Sequence, residues 1–421
     1  MTTVRANEKP TDRRGMHRVV MASGPSGATA AITVLVLLAA GCGTSSGNGS
    51  SNQQPGAPGF QAPNIPVATS VGKSEGELNV LAWPGYAESG KNDPKVDWVT
   101  PFEKQSGCHV NVKEFGTSDE AVSLMHTGGY DVVSASGDAT LRLISSGDVQ
   151  PVNTALVPNY ADISPFLKNQ PFNSVNGQMW GIPHGWGANL LMYNKDVVKP
   201  APTDWSDVFS GSSAYAGKVT AYDSPIYIAD AALYLMNTQP SLGIKNPYAL
   251  DQKQLDAAVQ VLKNQHQNIG EYWSDYTKEV QAFKTGSSVV GTTWQVIANL
   301  TAPDAPVATV FPKSGSTGWS DTWMISSNND HVNCAYKWLN WIASPKVQAQ
   351  VAQWFGEAPA NPKACQYTSK GFCATYHVTD AAYAAKIYYW TTPITQCLDG
   401  RTNVKCTDYN AWTDAWTQVK G

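Results

Sequence analysis

Three features of the 421-residue sequence predict an α/β protein of two lobes. Strand-length apolar runs alternate with helical patterns. The 345 residues from Glu77 onward exceed what one ordinary core accommodates, and no internal repeat or second low-complexity segment interrupts them. The runs are LNVLAW (78–83), HVNVKEF (109–115), YDVVSAS (130–136), ANLLMYN (188–194), KVTAYD (218–223), SVVGTTW (288–294), PVATVFP (306–312) and TWMISS (322–327). Between them, Leu255, Val259 and Leu262 share one helical face, as do Val347, Val351 and Trp354, with Ser344 and Pro345 suited to be N-cap and first helical residue.

The first 41 residues read as an export signal, not as part of the fold. Arg5, Lys9, Arg13, Arg14 and Arg18 make a basic start, residues 28–40 are apolar, and small residues precede Cys42. The apolar run is shorter than the roughly 20 residues of a membrane span. Leu38-Ala39-Ala40-Gly41-Cys42 resembles the bacterial lipobox, which implies lipidation of Cys42; the plainer alternative is an ordinary cleaved signal with an incidental cysteine. Residues 43–76 are rich in Gly, Ser, Pro, Asn and Gln without apolar periodicity, so 42–76 is expected to be a lipidated cysteine and flexible linker reaching roughly 30 Å.

Without residues 1–41 the chain carries 24 Lys+Arg against 31 Asp+Glu, a net of −7. An acidic chain argues against a nucleic-acid partner, which needs a positive field, and is compatible with a cationic ligand. Setting Cys42 aside leaves six cysteines, and an even count in an exported protein points to disulfides. Short loops favour Cys365 with Cys373 and Cys397 with Cys406, leaving Cys108 with Cys334 by exclusion, although the connectivity is formally one of about 15. No C-x-x-C spacing occurs and the histidines never pair at helical or strand spacing, so neither a metal nor a redox cofactor is expected.

Loops that follow strands are where α/β proteins place ligands. Trp83 and Tyr86 follow the first run, Ser136 and Asp138 the third, Asp223 the fifth and Trp294 the sixth, while Trp319 and Asp321 precede the last. Tryptophan and tyrosine faces attract an ammonium group, and a carboxylate adds charge and direction. An aromatic slot with acids at its ends suits an elongated dication. Each residue also has a plainer reading. Trp83, Trp186, Trp294 and Trp319 could be packing, and Asp138 and Asp223 could be turn formers or helix caps.

WPGY (83–86), DWVTPFEK (97–104), YDVVSASGD (130–138), GIPHGWGANLLMYN (181–194), YAGKVTAYDSP (215–225), GWSD (318–321) and AYKWLNWIASPKV (335–347) together resemble the spermidine/putrescine-binding proteins of ABC importers. The similarity runs in order over nearly all of residues 77–365. It implies a two-lobed periplasmic-binding-protein-like fold (type II) with two crossovers near residues 185–187 and 318–321, and an interlobe cleft that closes on its ligand. Residues 77–187 and 320–360 would form one lobe, 188–319 and 361–421 the other. By resemblance, Trp83 and Tyr86 match the family's first aromatic pair, Trp294 its later stacking tryptophan, and Trp319 with Asp321 its hinge tryptophan and amine-binding aspartate. Asp223 matches the aspartate of the second lobe. Asp138, Ile226 and Glu357 depart from the family pattern, removing an acid at 226 and adding acids at 138 and 357. The resemblance implies a monomeric, non-enzymatic extracytoplasmic receptor that takes a polyamine-like cation, docks on permease subunits and is held at the membrane by its lipid.

Two rivals stand beside that expectation. The same scaffold could take a sugar, an amino-acid derivative or a quaternary amine. A secreted hydrolase is the weaker one, since the chain has neither G-x-S-x-G nor H-E-x-x-H.

Overall fold

The computed structural model describes residues 57, 59–210 and 214–421. The signal segment and Cys42 therefore lie outside the described residues. Two separate sheets, each flanked by helices, form the two lobes. In the first sheet the strands run in the order Ala358–Pro359, Ile182–Ala188, Ser316–Ser326, Val132–Ala135, Glu77–Ala82 and His109–Glu114. In the second the order is Ile269–Trp273, Val219–Tyr222, Val290–Thr293, Leu190–Asn194 and Val307–Val310. Glu77–Ala82 pairs in parallel with both of its neighbours, as strands joined through helices must.

The chain leaves the first sheet at Ala188 and enters the second at Leu190, with Asn189 alone between them. It returns between Val310 and Ser316. The outgoing and returning strands pair antiparallel, Gly185 opposite Asp321 and Gly187 opposite Trp319. Asn189 is tied to that pair twice, its backbone N–H donating to the Thr317 carbonyl at 2.9 Å and its Nδ2 to Thr317 Oγ1 at 2.7 Å. Later in the chain, Ile387–Tyr389 adds in parallel to Ser316, Thr317 and Gly318. The C-terminal helix Tyr409–Lys420 packs against helix Gln252–His266 of the second lobe.

The helix Gln252–His266 forms as its pattern requires. Asp251 and Gln254 make a reciprocal capping box, and Leu255, Val259 and Leu262 are buried. In Pro345–Phe355, Val347 and Val351 are buried beneath a first-turn proline. Trp354 departs from the expected shared face: it is 42% exposed and stands at the cleft mouth. Residues 60–76 also differ from the expected linker. They form no helix or strand, yet Phe60 is buried, the Ala68 carbonyl accepts from Asn153 Nδ2 at 3.1 Å, and Glu75 accepts from the Asn333 and Cys334 backbone N–H groups, each at 2.9 Å. Composition predicted a free tether because it cannot show that single polar side chains find partners on a finished surface.

Among the described residues there are three disulfides, Cys108–Cys334, Cys365–Cys373 and Cys397–Cys406. Among the described residues no helix is long and apolar enough to cross a membrane.

Candidate functional site

A chamber of about 280 Å³, open solvent at its mouth included, lies where the two sheets meet. Its walls are Trp83, Tyr86, Ser136, Trp294, Trp319, Asp321, Phe355 and Trp390. Trp83 and Tyr86 follow the strand Glu77–Ala82; Ser136 is the N-cap of helix Gly137–Ser146; Trp294 is the N-cap of Gln295–Thr301 in the other lobe. Trp319 and Asp321 project from the long returning strand Ser316–Ser326. Strand ends and helix starts thus converge on one space, the usual geometry of ligand clefts in α/β proteins.

The rings brace one another. Trp83 packs on Phe115 with centroids 4.6 Å apart, Tyr86 on Phe355 at 4.8 Å, and Trp319 edge-on to Phe355 at 5.9 Å. On the opposite wall Trp294 meets Trp273 at 4.9 Å, and Trp390 stacks on Tyr222 at 5.6 Å and 9°. The indole N–H groups of Trp319 and Trp390 are buried without a hydrogen-bond partner.

Asp321 is the carboxylate of this chamber and is 5% exposed. Its Oδ1 accepts from Ser136 Oγ at 2.6 Å and its Oδ2 from Tyr86 OH at 2.9 Å. Ser136 in turn accepts from Trp83 Nε1 at 3.2 Å. Burial pushes the Asp321 carboxyl up to about 6, with the two hydroxyl donors holding it lower than burial alone would. At neutral pH it is an ionised group with hydrogen-bond partners but no cation within salt-bridge reach among the described residues.

Behind it lies a second acid with a different state. Glu357 Oε2 is 2.9 Å from Tyr86 OH, and His184 Nε2 stands 3.5 Å from Glu357 Oε1. Burial, then the Asp321 charge, holds the Glu357 carboxyl well above its ordinary range, and burial pushes the His184 imidazole down to about 3. The imidazole is therefore neutral, and its contact with Glu357 is not an ion pair. One phenol proton cannot serve two acceptors, so the consistent arrangement has Glu357 donating to Tyr86 and Tyr86 donating to Asp321. Glycine makes room for this relay: a Cβ on Gly185 would lie 2.2 Å from the Glu357 carboxyl carbon, and one on Gly187 would lie 2.8 Å from the Trp319 ring.

Of the ten side chains expected at a ligand, Trp83, Tyr86, Ser136, Trp294, Trp319 and Asp321 line the chamber. Glu357 lies behind Tyr86. The structure does not bring the other three there. Trp186 is buried edge-on against Phe166, with Tyr383 and Tyr389 around it. Asp138 is sealed inside: its Oδ1 accepts from Ser118 Oγ at 2.9 Å, Oδ2 has no partner, and burial pushes the group to about 7. Asp223 accepts from Trp416 Nε1 at 3.1 Å and pairs with Lys420 Nζ at 2.8 Å. Sequence reasoning missed Phe355 and Trp390; the aromatic cluster in KIYYWTTP was the available signal for Trp390.

The chamber shares Trp83, Trp294 and Phe355 with a wider mouth whose walls carry Glu88, Glu114, Glu120 and Asp275 and no Lys or Arg. Among the described residues no group of three His, Cys, Asp or Glu could hold a metal ion.

Comparisons with known proteins agree with this architecture. The family described as bacterial extracellular solute-binding protein matches residues 97–379. The spermidine/putrescine-binding periplasmic protein of Escherichia coli is 25% identical over 265 residues, covering 62% of this chain and 72% of the relative. The solved spermidine/putrescine substrate-binding protein PotD of Streptococcus pneumoniae aligns with a TM-score of 0.63 at 20% identity, over 82% of this chain and 98% of its own. MotA of A. tumefaciens, solved with glucopine, aligns with a TM-score of 0.63 at 17% identity, over 82% of this chain and all of its own.

Proposed function

We propose that this chain, which belongs to the bacterial extracellular solute-binding proteins and is the solute-binding component of an ABC importer, captures a small organic amine cation of the polyamine class. The observation that carries this reading is Asp321: an ionised, buried carboxylate without a cation among the described residues, at the floor of a chamber walled by six aromatic rings. The name of the Escherichia coli relative supports the same solute class.

Each wall has a part in capture. Asp321 accepts an ammonium N–H and balances its charge, while Ser136 and Tyr86 hold the carboxylate in place. The ring faces offer about 0.5 to 2 kcal/mol of cation–π attraction, the larger figure when water is excluded. The protonated Glu357 keeps the Tyr86 proton directed at Asp321 and adds no second charge to the floor. The acidic mouth raises the local concentration of cations.

We assign residues 77–187 and 320–360 to one lobe and 188–319 with 361–421 to the other, except that Ser316–Gly318 and Ile387–Tyr389 pair within the first sheet, with closure about the paired strands at Gly187 and Trp319. Trp294 comes from the second sheet and Trp83, Tyr86 and Ser136 from the first, so closure brings the walls together around the ligand. The reading includes export, lipidation at Cys42, docking on permease subunits and action as a monomer by binding alone, without chemistry on the solute.

Isothermal titration with putrescine, spermidine, sugars and amino acids tests the assignment. Micromolar or tighter binding of an amine is the expected result. No heat with any amine, beside tight binding of another solute, overturns it. A second reading has its own observation: the unpartnered N–H groups of Trp319 and Trp390 would suit a ligand that carries an acceptor besides its amine, such as an amino-acid derivative. Tighter binding of such a compound than of putrescine favours it.

A further inference from the structure

We infer that the chamber receives a single ammonium head, and that Lys420 of the C-terminal helix occupies, as an internal cation, the carboxylate that could have held a second one. The inference rests on the cation reading above and narrows it.

Three acids other than Asp321 are expected at the ligand from the sequence, and each is already accounted for. Glu357 is neutral and faces the back of Tyr86. Asp138 is sealed beneath the helix start Gly137–Ser146, held by Ser118. Asp223 has both oxygens engaged by one helix, Oδ1 by Trp416 Nε1 at 3.1 Å and Oδ2 by Lys420 Nζ at 2.8 Å. Lys420 Nζ also stands 3.9 Å from the centroid of the Tyr272 ring. A carboxylate, an ammonium and an aromatic face are the components of an amine subsite, here filled by the chain itself. Trp416 meets Tyr272 and Tyr227 edge-on, at 5.9 and 6.0 Å, which seats the helix over this group.

A diamine bound at Asp321 then has only the mouth for its other end. Glu114, Glu120 and Asp275 are exposed there, and the fourth acid of the mouth, the buried Glu88, has its oxygens engaged by Asn92 Nδ2 at 3.2 and 3.0 Å. Exposed charges attract weakly and are screened by salt, so the second ammonium is worth less than about tenfold in affinity at ordinary ionic strength. Recognition is one-ended: the head is specified and the tail is tolerated.

The test compares n-butylamine with putrescine, which differ by one terminal ammonium, by titration into the wild-type protein at about 0.15 M and about 1 M salt. The expected result is a putrescine advantage below tenfold that disappears at the higher salt. Asp223→Asn is expected to leave both affinities within about twofold. A putrescine preference above a hundredfold overturns the inference, as does an Asp223→Asn protein that loses more than tenfold for putrescine and nothing for n-butylamine. The wild-type comparison decides the matter alone should that variant fail to fold. If Asp321→Asn abolishes binding while putrescine stays far tighter than n-butylamine, the cation reading stands and the single-head inference fails. If no amine binds at all, both fall.

Discussion

Asp321 and Asp223 begin as equals: each is an aspartate at the edge of a strand-like run, one beside each sheet. The structure separates them by what faces the charge. Asp321 has hydroxyl donors and aromatic faces around it but no cation, so burial raises its pKa and leaves it poised for one. Asp223 is about a third exposed and meets a lysine from the far end of the chain. A carboxylate becomes a receptor group where the fold withholds a counter-ion, and a structural group where the fold supplies it.

That contrast gives an order of expected effects. The largest belongs to Asp321→Asn, which keeps the shape and removes the charge. Truncating one partner of a buried charge pair costs about 2 to 5 kcal/mol, so the amine should bind roughly 30-fold to several-thousand-fold more weakly in titration. An unchanged dissociation constant would place the cation elsewhere.

The pH profile comes next. Below about 6 a proton occupies Asp321 in the free protein and the cation must displace it. Affinity should therefore be level above pH 7 and fall by about tenfold per unit once pH drops below about 6. Tryptophan fluorescence titrations from pH 5 to 8 would show the slope, and Asp321→Asn should flatten it. The apoprotein's stability follows the opposite sign. With a folded pKa raised above the ordinary aspartate value, Asp321 contributes stability that is present below about pH 4 and lost as pH rises through about 6.

Trp390→Ala removes one wall without touching charge. A loss of about 0.5 to 2 kcal/mol is expected, or roughly 2- to 30-fold in affinity. The smallest effect is assigned to Glu357→Gln, because the carboxyl is already neutral and the amide can still donate to Tyr86. Less than about 0.5 kcal/mol in thermal stability or binding is expected. A deficit as large as that of Asp321→Asn would show that Glu357 carries charge after all.

Much of this was written locally in the sequence. The β-branched runs of the second sheet, the helix face of Leu255, Val259 and Leu262 and the aromatic residues after the first strand each depend on near neighbours, so short patterns reveal them. Ile182–Ala188 carries no strand signal of its own, because GIPHGWGA combines glycine and proline, both poor strand formers. Its glycines exist for Glu357 and Trp319, residues more than a hundred positions away. Trp390 reaches the chamber from beyond residue 379, where the family match ends. The Asp223–Lys420 pair spans 197 positions, and no spacing rule connects its ends. Asp138 misled for the same reason: loop position suggested exposure to ligand, whereas Ser118, on the neighbouring helix, closes over it.

The Cys108–Cys334 bond closes a loop across 226 positions. All five strands of the second sheet, and both passages between the sheets, fall within this ring. In topological terms the second sheet is an excursion from a covalently closed circle, entered and left through adjacent strands. A protease that cuts once anywhere from residue 109 to 333 would not divide the molecule: the nicked protein should migrate as one species until a reductant opens the circle and releases two fragments. A cut in the circle then becomes a nick with its ends held in register by the remaining fold, instead of the loss of a lobe.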